Sequence, residues 1–171
     1  MKNKRLLFLG LFLCFAGAVF CGWNFYQEMK PRVQAEQAYD QIREMAFRES
    51  DVVMNGDEDL AAVGTHTRKR PDFETLLQWN SDIAGWIWSP ESDIDYPVVQ
   101  GADNDYYLNH TADGVSSIIG SIFMDSQNQK EFQDDVTILY GHHIRGGRMF
   151  SSLSGYKTQS YYEEHPVLYL S

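Results

Sequence analysis

Two histidines stand side by side in TILYGHHIRGGRMF, residues 137–150. An apolar run leads into them, and glycines flank them at Gly141, Gly146 and Gly147. Imidazole is the side chain that gives and takes protons near neutral pH. A strand ending at His142 would hold the ring rigidly, and the glycines would let a substrate approach. The competing reading of the same residues is a loop histidine bonded to a backbone group. A metal site drawn from His66, His110, His142, His143 and His165 is disfavoured. Neighbours on a strand face opposite sides, and no HExxH spacing occurs. Ser151, Ser152 and Ser154 follow the histidines, but without the GxSxG turn that presents a serine nucleophile. Cysteine occurs only at Cys14 and Cys21, both in an apolar N-terminal run, so the rest of the chain has neither a disulfide framework nor a cysteine metal site.

The elements that must position these groups begin near Phe73. PDFETLLQWN predicts a short helix with Asp72 as its N-cap. IAGWIWS and IDYPVVQ predict two strands around the turn SPESD, with Pro97 at an edge or bulge position. NDYYLNH predicts a helical turn, SIIGSIFMD a third strand, QNQKEFQDD a polar excursion and VTILYGHH a fourth strand. RMFSSLSGY and SYYEEHP predict short helices, and VLYLS a fifth strand. Short strands joined by small helices and Gly/Pro turns describe a mostly β barrel. Five strands are fewer than a closed barrel needs, so the pattern implies either a fragment or an unpaired last strand.

Composition narrows the partners. The formal net charge is −10, a surface that repels phosphate backbones and excludes nucleic acid as a partner. Aromatics at 14% require a packed core. Leu6 to Tyr26 carries no charge and has the length of a membrane-spanning helix, about 20 residues. Lys2, Lys4 and Arg5 place residues 1–5 in the cytoplasm, and Trp23 and Tyr26 suit an interfacial belt. A cleaved signal peptide ending at Ala16–Ala18 is the rival, but the apolar run continues past it. Phe20 before Cys21 is too bulky for a lipoprotein signal. Gln27 to Glu49 has the period of an amphipathic helix on Val33, Gln37, Ala38, Ile42, Met45 and Ala46. Pro31 suits its first turn, and the helix reads as a spacer from the membrane. Residues 51–72 read as a linker. The expected organisation is a cytoplasmic N-terminus over 1–5, an anchor over 6–26, a juxtamembrane helix and linker over 27–72, and a catalytic-type domain over 73–171.

NSDIAGWIWSPESDIDYPVVQGADNDYYLNH, GSIFMDSQN and TILYGHHIRGGRMFSSLSGY, in that order, resemble a class B sortase. These are membrane-anchored cysteine transpeptidases of Gram-positive bacteria. The resemblance covers about Phe73 to Ser171. It implies a sortase-type β-barrel with short helices, incomplete at its C-terminus and preceded by a transmembrane helix and helical stalk. It implies a thiolate attack on the Thr carbonyl of a C-terminal sorting motif and transfer of the acyl group to a cell-wall peptide amine, without a cofactor or metal. The family's catalytic histidine falls on His142, and its early substrate-contacting residues on Asn104 and Leu108. The partners implied are the sorting-motif peptide, the wall amine and the membrane, with the domain outside the cell. The family's TLSTC-like nucleophile strand and following arginine have no counterpart among these residues. Neither Arg145 nor Arg148 follows a cysteine, so neither takes that role. The chain therefore reads as the N-terminal two thirds of such an enzyme, inactive as it stands. The alternative is a non-catalytic, membrane-tethered wall-binding or scaffolding module on a decayed sortase fold.

Overall fold

In a computed structural model of the chain, residues 2–48, 70–90, 92–144 and 148–171 are described, with side chains from residue 10 onward. One helix, α1, runs from Lys2 to Ala46 and passes through Pro31. The sequence had placed Pro31 in the first turn of a separate helix. A proline inside a helix removes one backbone hydrogen bond, and here the flanking turns carry the helix through it. Leu11, Phe12, Phe15, Phe20, Trp23 and Phe25 on the first half are each more than half exposed. Among the described residues no helix is long and apolar enough to cross a membrane. The expected span thus finds no support there, and its opening residues Leu6–Leu9 lie outside the described side chains.

The second half of α1 corrects the spacer reading. Ala35, Tyr39, Ile42 and Ala46 recur on one face and are buried in the core of the domain, the stripe of a helix packed on a neighbour. Val33, counted in the stripe from sequence, is exposed. The Tyr39 and Tyr96 rings meet edge to face at 5.3 Å, and Phe47 and Trp86 do the same at 5.3 Å. Arg43 Nε pairs with Asp95 Oδ2 at 2.9 Å. The linker expected over 51–72 falls largely outside the described residues. Its flanks are nevertheless joined, because the N–H of Asp72 donates to the carbonyl of Ala46 at 2.8 Å. Asp72 also caps α2 (Phe73–Trp79), accepting from the Thr75 N–H at 3.1 Å and its hydroxyl at 2.6 Å.

The domain is a curled sheet with short helices around it. Strands β1 (Ile83–Trp88), β2 (Asp95–Val99), β3 (Ile122–Met124), β4 (Leu139–Tyr140) and β7 (Tyr169–Leu170) lie in the order β4-β3-β2-β1-β7. A separate ribbon pairs β5 (His143–Ile144) with β6 (Arg148–Met149). β2 and β3 are parallel, with Val98 opposite Ile122, and the other pairs are antiparallel. Pro97 lies on an internal strand, not an edge. It is tolerated because β3 pairs only with Val98 and Val99, so Pro97 owes no ladder bond on that side. The bulge lies on β1, between Ile83 and Gly85.

Two expected strands are shorter than the sequence implied. The third begins only at Ile122, because Gly120 turns the chain at φ +62°. The fourth splits into β4 and β5 around Gly141, which passes so close to Ile122 and the Phe150 ring that a Cβ has no room. Strand and helix content in the domain are therefore comparable, and "mostly β" overstates the ladder. A 3-10 helix spans Tyr106–Leu108, another Phe150–Lys157, and α3 covers Gln159–Glu164. The last strand is paired: Tyr169 lies opposite Trp88 and Leu170 opposite Ile87.

Docking of α1 makes a direct prediction. Ile42→Ala should destabilise the chain by about 2–5 kcal/mol, the usual cost of emptying a buried Ile site. Val33→Ala should stay within about 0.5 kcal/mol. Denaturant unfolding measures both, and a helix serving only as a spacer would leave both neutral.

Candidate functional site

The site grows from the end of β4. Tyr140 packs its ring on Phe123 of β3 at 5.1 Å, which fixes the strand that leads to the histidines. Its hydroxyl donates to Asp125 Oδ2 at 2.8 Å. Asn104 Nδ2 donates to the same oxygen at 2.9 Å, while Asn104 Oδ1 accepts the Ser126 N–H at 2.8 Å. The Gln127 N–H donates to Asp125 Oδ1 at 2.9 Å. Donors to a carboxylate favour its charged form. The Gln127 N–H, then Tyr140 and then Asn104 hold the Asp125 carboxyl below its usual range. The same bond to Asp125 raises the Tyr140 phenol.

His142 follows at the gap between β4 and β5 and is half-buried. Its Nε2 lies 2.7 Å from the carbonyl oxygen of Leu108. A carbonyl only accepts, so Nε2 carries the proton and the free lone pair of the neutral ring is on Nδ1. The carbonyl of His142 in turn accepts the Phe150 N–H at 3.1 Å. The competing sequence reading, a histidine bonded to backbone, thus describes one ring nitrogen and leaves the other open. His143 is exposed and opposes Met149 in the ribbon.

The three residues singled out from sequence share one neighbourhood. Leu108 meets His142 through its main-chain carbonyl, while its side chain packs partly buried at the margin of the core. Asn104 reaches the histidine strand through Asp125 and Tyr140. Sequence reasoning passed over Asp125 and Tyr140. Their signal was there: Tyr140 and His142 are two apart, a spacing that puts strand residues on one face, and Asp125 directly follows the apolar β3.

The other candidates have local duties. His110 Nδ1 contacts the Tyr106 carbonyl at 2.8 Å, and its ring stacks on Tyr106 at 4.0 Å. His165 repeats this with Tyr161, at 2.9 and 3.9 Å. His66 and Arg145 lie outside the described residues. Ser151 is buried, and its carbonyl accepts the Ser154 hydroxyl at 2.7 Å. Cys14 and Cys21 lie exposed on the apolar half of α1. A cavity of about 310 Å3 opens between α1 and β6, and its charged lining includes Glu36, Asp40, Arg43, Asp93 and Arg148. None of His142, Asn104 and Leu108 lines it, and we place the candidate site at His142 because the chemistry converges there.

Sequence and structure comparisons bear on this arrangement. No family model matches the chain. Sortase B of Listeria monocytogenes is 32% identical over 166 residues, which is 97% of this chain and 61% of that protein. Sortase B of Staphylococcus aureus is 43% identical over 99 residues, covering 58% of this chain and 41% of that one. The crystal structure of sortase B from Bacillus anthracis in complex with AAEK1 superposes with a TM-score of 0.68 at 30% identity, covering 83% of this chain and 62% of that one. The Staphylococcus aureus sortase B–substrate complex gives a TM-score of 0.56 at 41% identity over 58% of this chain and 46% of the other. The chain thus spans about three fifths or less of the length of these relatives.

Asp125 provides a pH test. Its folded-state carboxyl titrates below the unfolded value near 3.9, so its bonds stabilise the fold above that pH and are lost as pH falls through the lower, folded value. Asp125→Asn should lower the urea midpoint at pH 7, and the gap from the parent should close progressively below about pH 4. A gap of constant size down to pH 2 would contradict the assignment.

Proposed function

Because this chain is a class B sortase homologue, matched over 61% of its Listeria relative, we propose that it forms the histidine-bearing part of a cysteine transpeptidase acting on sorting-motif peptides. The single observation that supports this most is the bond from His142 Nε2 to the Leu108 carbonyl at 2.7 Å. It engages Nε2 and leaves Nδ1 as the basic nitrogen of the neutral ring. In the proposed reaction a thiolate adds to the Thr carbonyl of the sorting motif, and the peptide C–N bond breaks as His142 protonates the departing amine. The acyl-enzyme then passes to an amine of the wall peptide, whose proton His142 takes back. In this reading Asn104 and Leu108 contact the sorting-motif peptide beside the ring.

We propose that neither cysteine of the N-terminal run supplies that thiolate. The cysteines of this sequence are Cys14 and Cys21, both on the apolar half of α1. We propose that these 171 residues by themselves transfer nothing, and that activity needs a cysteine and an arginine supplied from further sequence. The alternative reading is a non-catalytic, membrane-tethered wall-binding or scaffolding module on the same fold. Fusing the cysteine- and arginine-bearing remainder of a class B sortase after Ser171 separates the two. The fusion should cleave a fluorogenic sorting peptide, and His142→Ala should slow it at least ~100-fold, the scale of a general acid–base. His143→Ala should cost much less. A folded fusion that binds the peptide without cleaving it would favour the scaffold.

The exposed apolar half of α1 supports a location at the cell membrane, spanning once, with the N-terminus cytoplasmic and the domain outside. Lys2, Lys4 and Arg5 agree with that orientation. The full chain should float with lipid vesicles. Leu13→Arg combined with Phe15→Arg, each costing about 2.5–3.5 kcal/mol at a membrane centre, should leave it at the bottom of the gradient.

A further inference from the structure

Tyr39 is buried between α1 and the sheet, 5% exposed. Its hydroxyl donates to the Gly120 carbonyl at 2.7 Å and shares a longer bond of 3.2 Å with Ser121 Oγ. Burial raises the phenol well above its ordinary value, so the donor is present across the working pH range.

Gly120 and Ser121 form the wall behind the His142 support. At Gly120 a Cβ would sit 2.5 Å from the Leu108 carbonyl oxygen and 2.8 Å from that of Tyr107. The Ser121 N–H donates to the Tyr107 carbonyl at 2.9 Å, and the Ser121 hydroxyl to the His110 carbonyl at 2.8 Å. The backbone held by Tyr39 is therefore pressed against the carbonyl that accepts His142 Nε2. A second arm leads to the other histidine. The Tyr39 ring meets Tyr96 edge to face, and Tyr96 Oη accepts the Met149 N–H at 3.3 Å. Met149 opposes His143 and has φ +52°, a strained value for a side chain of its size. One turn earlier on α1, Glu36 pairs with Arg148, the neighbour of Met149.

We propose that Tyr39 is a positioning residue: through Gly120 and the Leu108 carbonyl, the docked helix α1 sets the orientation and tautomer of the His142 ring. The helix then acts as part of the site's frame as well as of the core. The functional weight of this rests on the reading of His142 as a proton-transfer group, whereas its test needs no turnover.

The test is the two-bond 1H–15N spectrum of the histidine rings in the full chain, held in detergent micelles. The parent should show His142 in one dominant tautomer, protonated at Nε2. Tyr39→Phe keeps the ring on Tyr96 and removes the hydroxyl. It should raise the minor His142 tautomer about fivefold or more, the lower end of coupling between linked sites, with the far-ultraviolet circular dichroism unchanged. Ser121→Ala should shift it in the same direction and is read alone if Tyr39→Phe does not fold. A lower melting temperature with the tautomer ratio unmoved would make Tyr39 a core residue only and overturn the proposal. A completed enzyme that fails to cleave would instead count against the catalytic reading and leave the ring measurement standing.

Discussion

The fold depends on one act of burial: the stripe Ala35, Tyr39, Ile42 and Ala46 of α1 laid against the curled sheet. The strands are two to six residues long, and so few residues per strand bury little apolar area among themselves. A sheet that does not close on itself needs another element to cover its face. α1 supplies that cover, and a fully buried Ile contributes about 1.5–3 kcal/mol. The hydroxyl of Tyr39 and the guanidinium of Arg43 enter the same seam and are paired with Gly120 and Asp95. Unpaired, either would oppose the burial, since a buried polar group without a partner costs about 1–3 kcal/mol.

From that seam the order passes outward to the histidines. Gly120 has φ +62°, where a side chain would be strained, and the Leu108 carbonyl fills the space that its Cβ would take. Gly141 lets β4 pass tightly over Ile122 before the chain turns into His142. Neither glycine does chemistry. Each removes a Cβ so that a carbonyl or a strand can approach, and the result is a ring with one nitrogen committed and one open. Asp125 secures the opposite side, accepting from Asn104, Tyr140 and the Gln127 N–H. Asp125 is half-buried, so these bonds order the end of β3 and contribute modestly to stability.

Much of this was legible in the chain. IAGWIWS and IDYPVVQ were readable as two strands around the turn SPESD, and Asp72 was recognisable as a cap because its carboxylate can reach the N–H three residues on. The histidine pair was conspicuous because glycines surround it. What escaped were the features that only tertiary contact decides. Pro31 reads as a helix start by local rules, yet packing and the apolar run before it carry the helix through. The buried stripe lies on Tyr39 and not on Val33, because a helix of mixed composition offers several faces and the sheet selects one. The bonds of the Asn104 amide to Asp125 and Ser126 also escaped, because no local pattern pairs a loop amide with a carboxylate 21 residues on.

Continuity of α1 gives the arrangement its mechanical sense. At 1.5 Å per residue, the interval from Tyr26 to Tyr39 is about 20 Å of unbroken helix. On the proposed membrane-anchored reading, this sets both the height of the domain and its orientation, because the segment that leaves the bilayer is the one that seats on the sheet. A flexible linker between anchor and domain would leave the His142 ring free to face any direction. A helix docked through Tyr39 transmits its orientation instead, and the same residues that complete the core also aim the site.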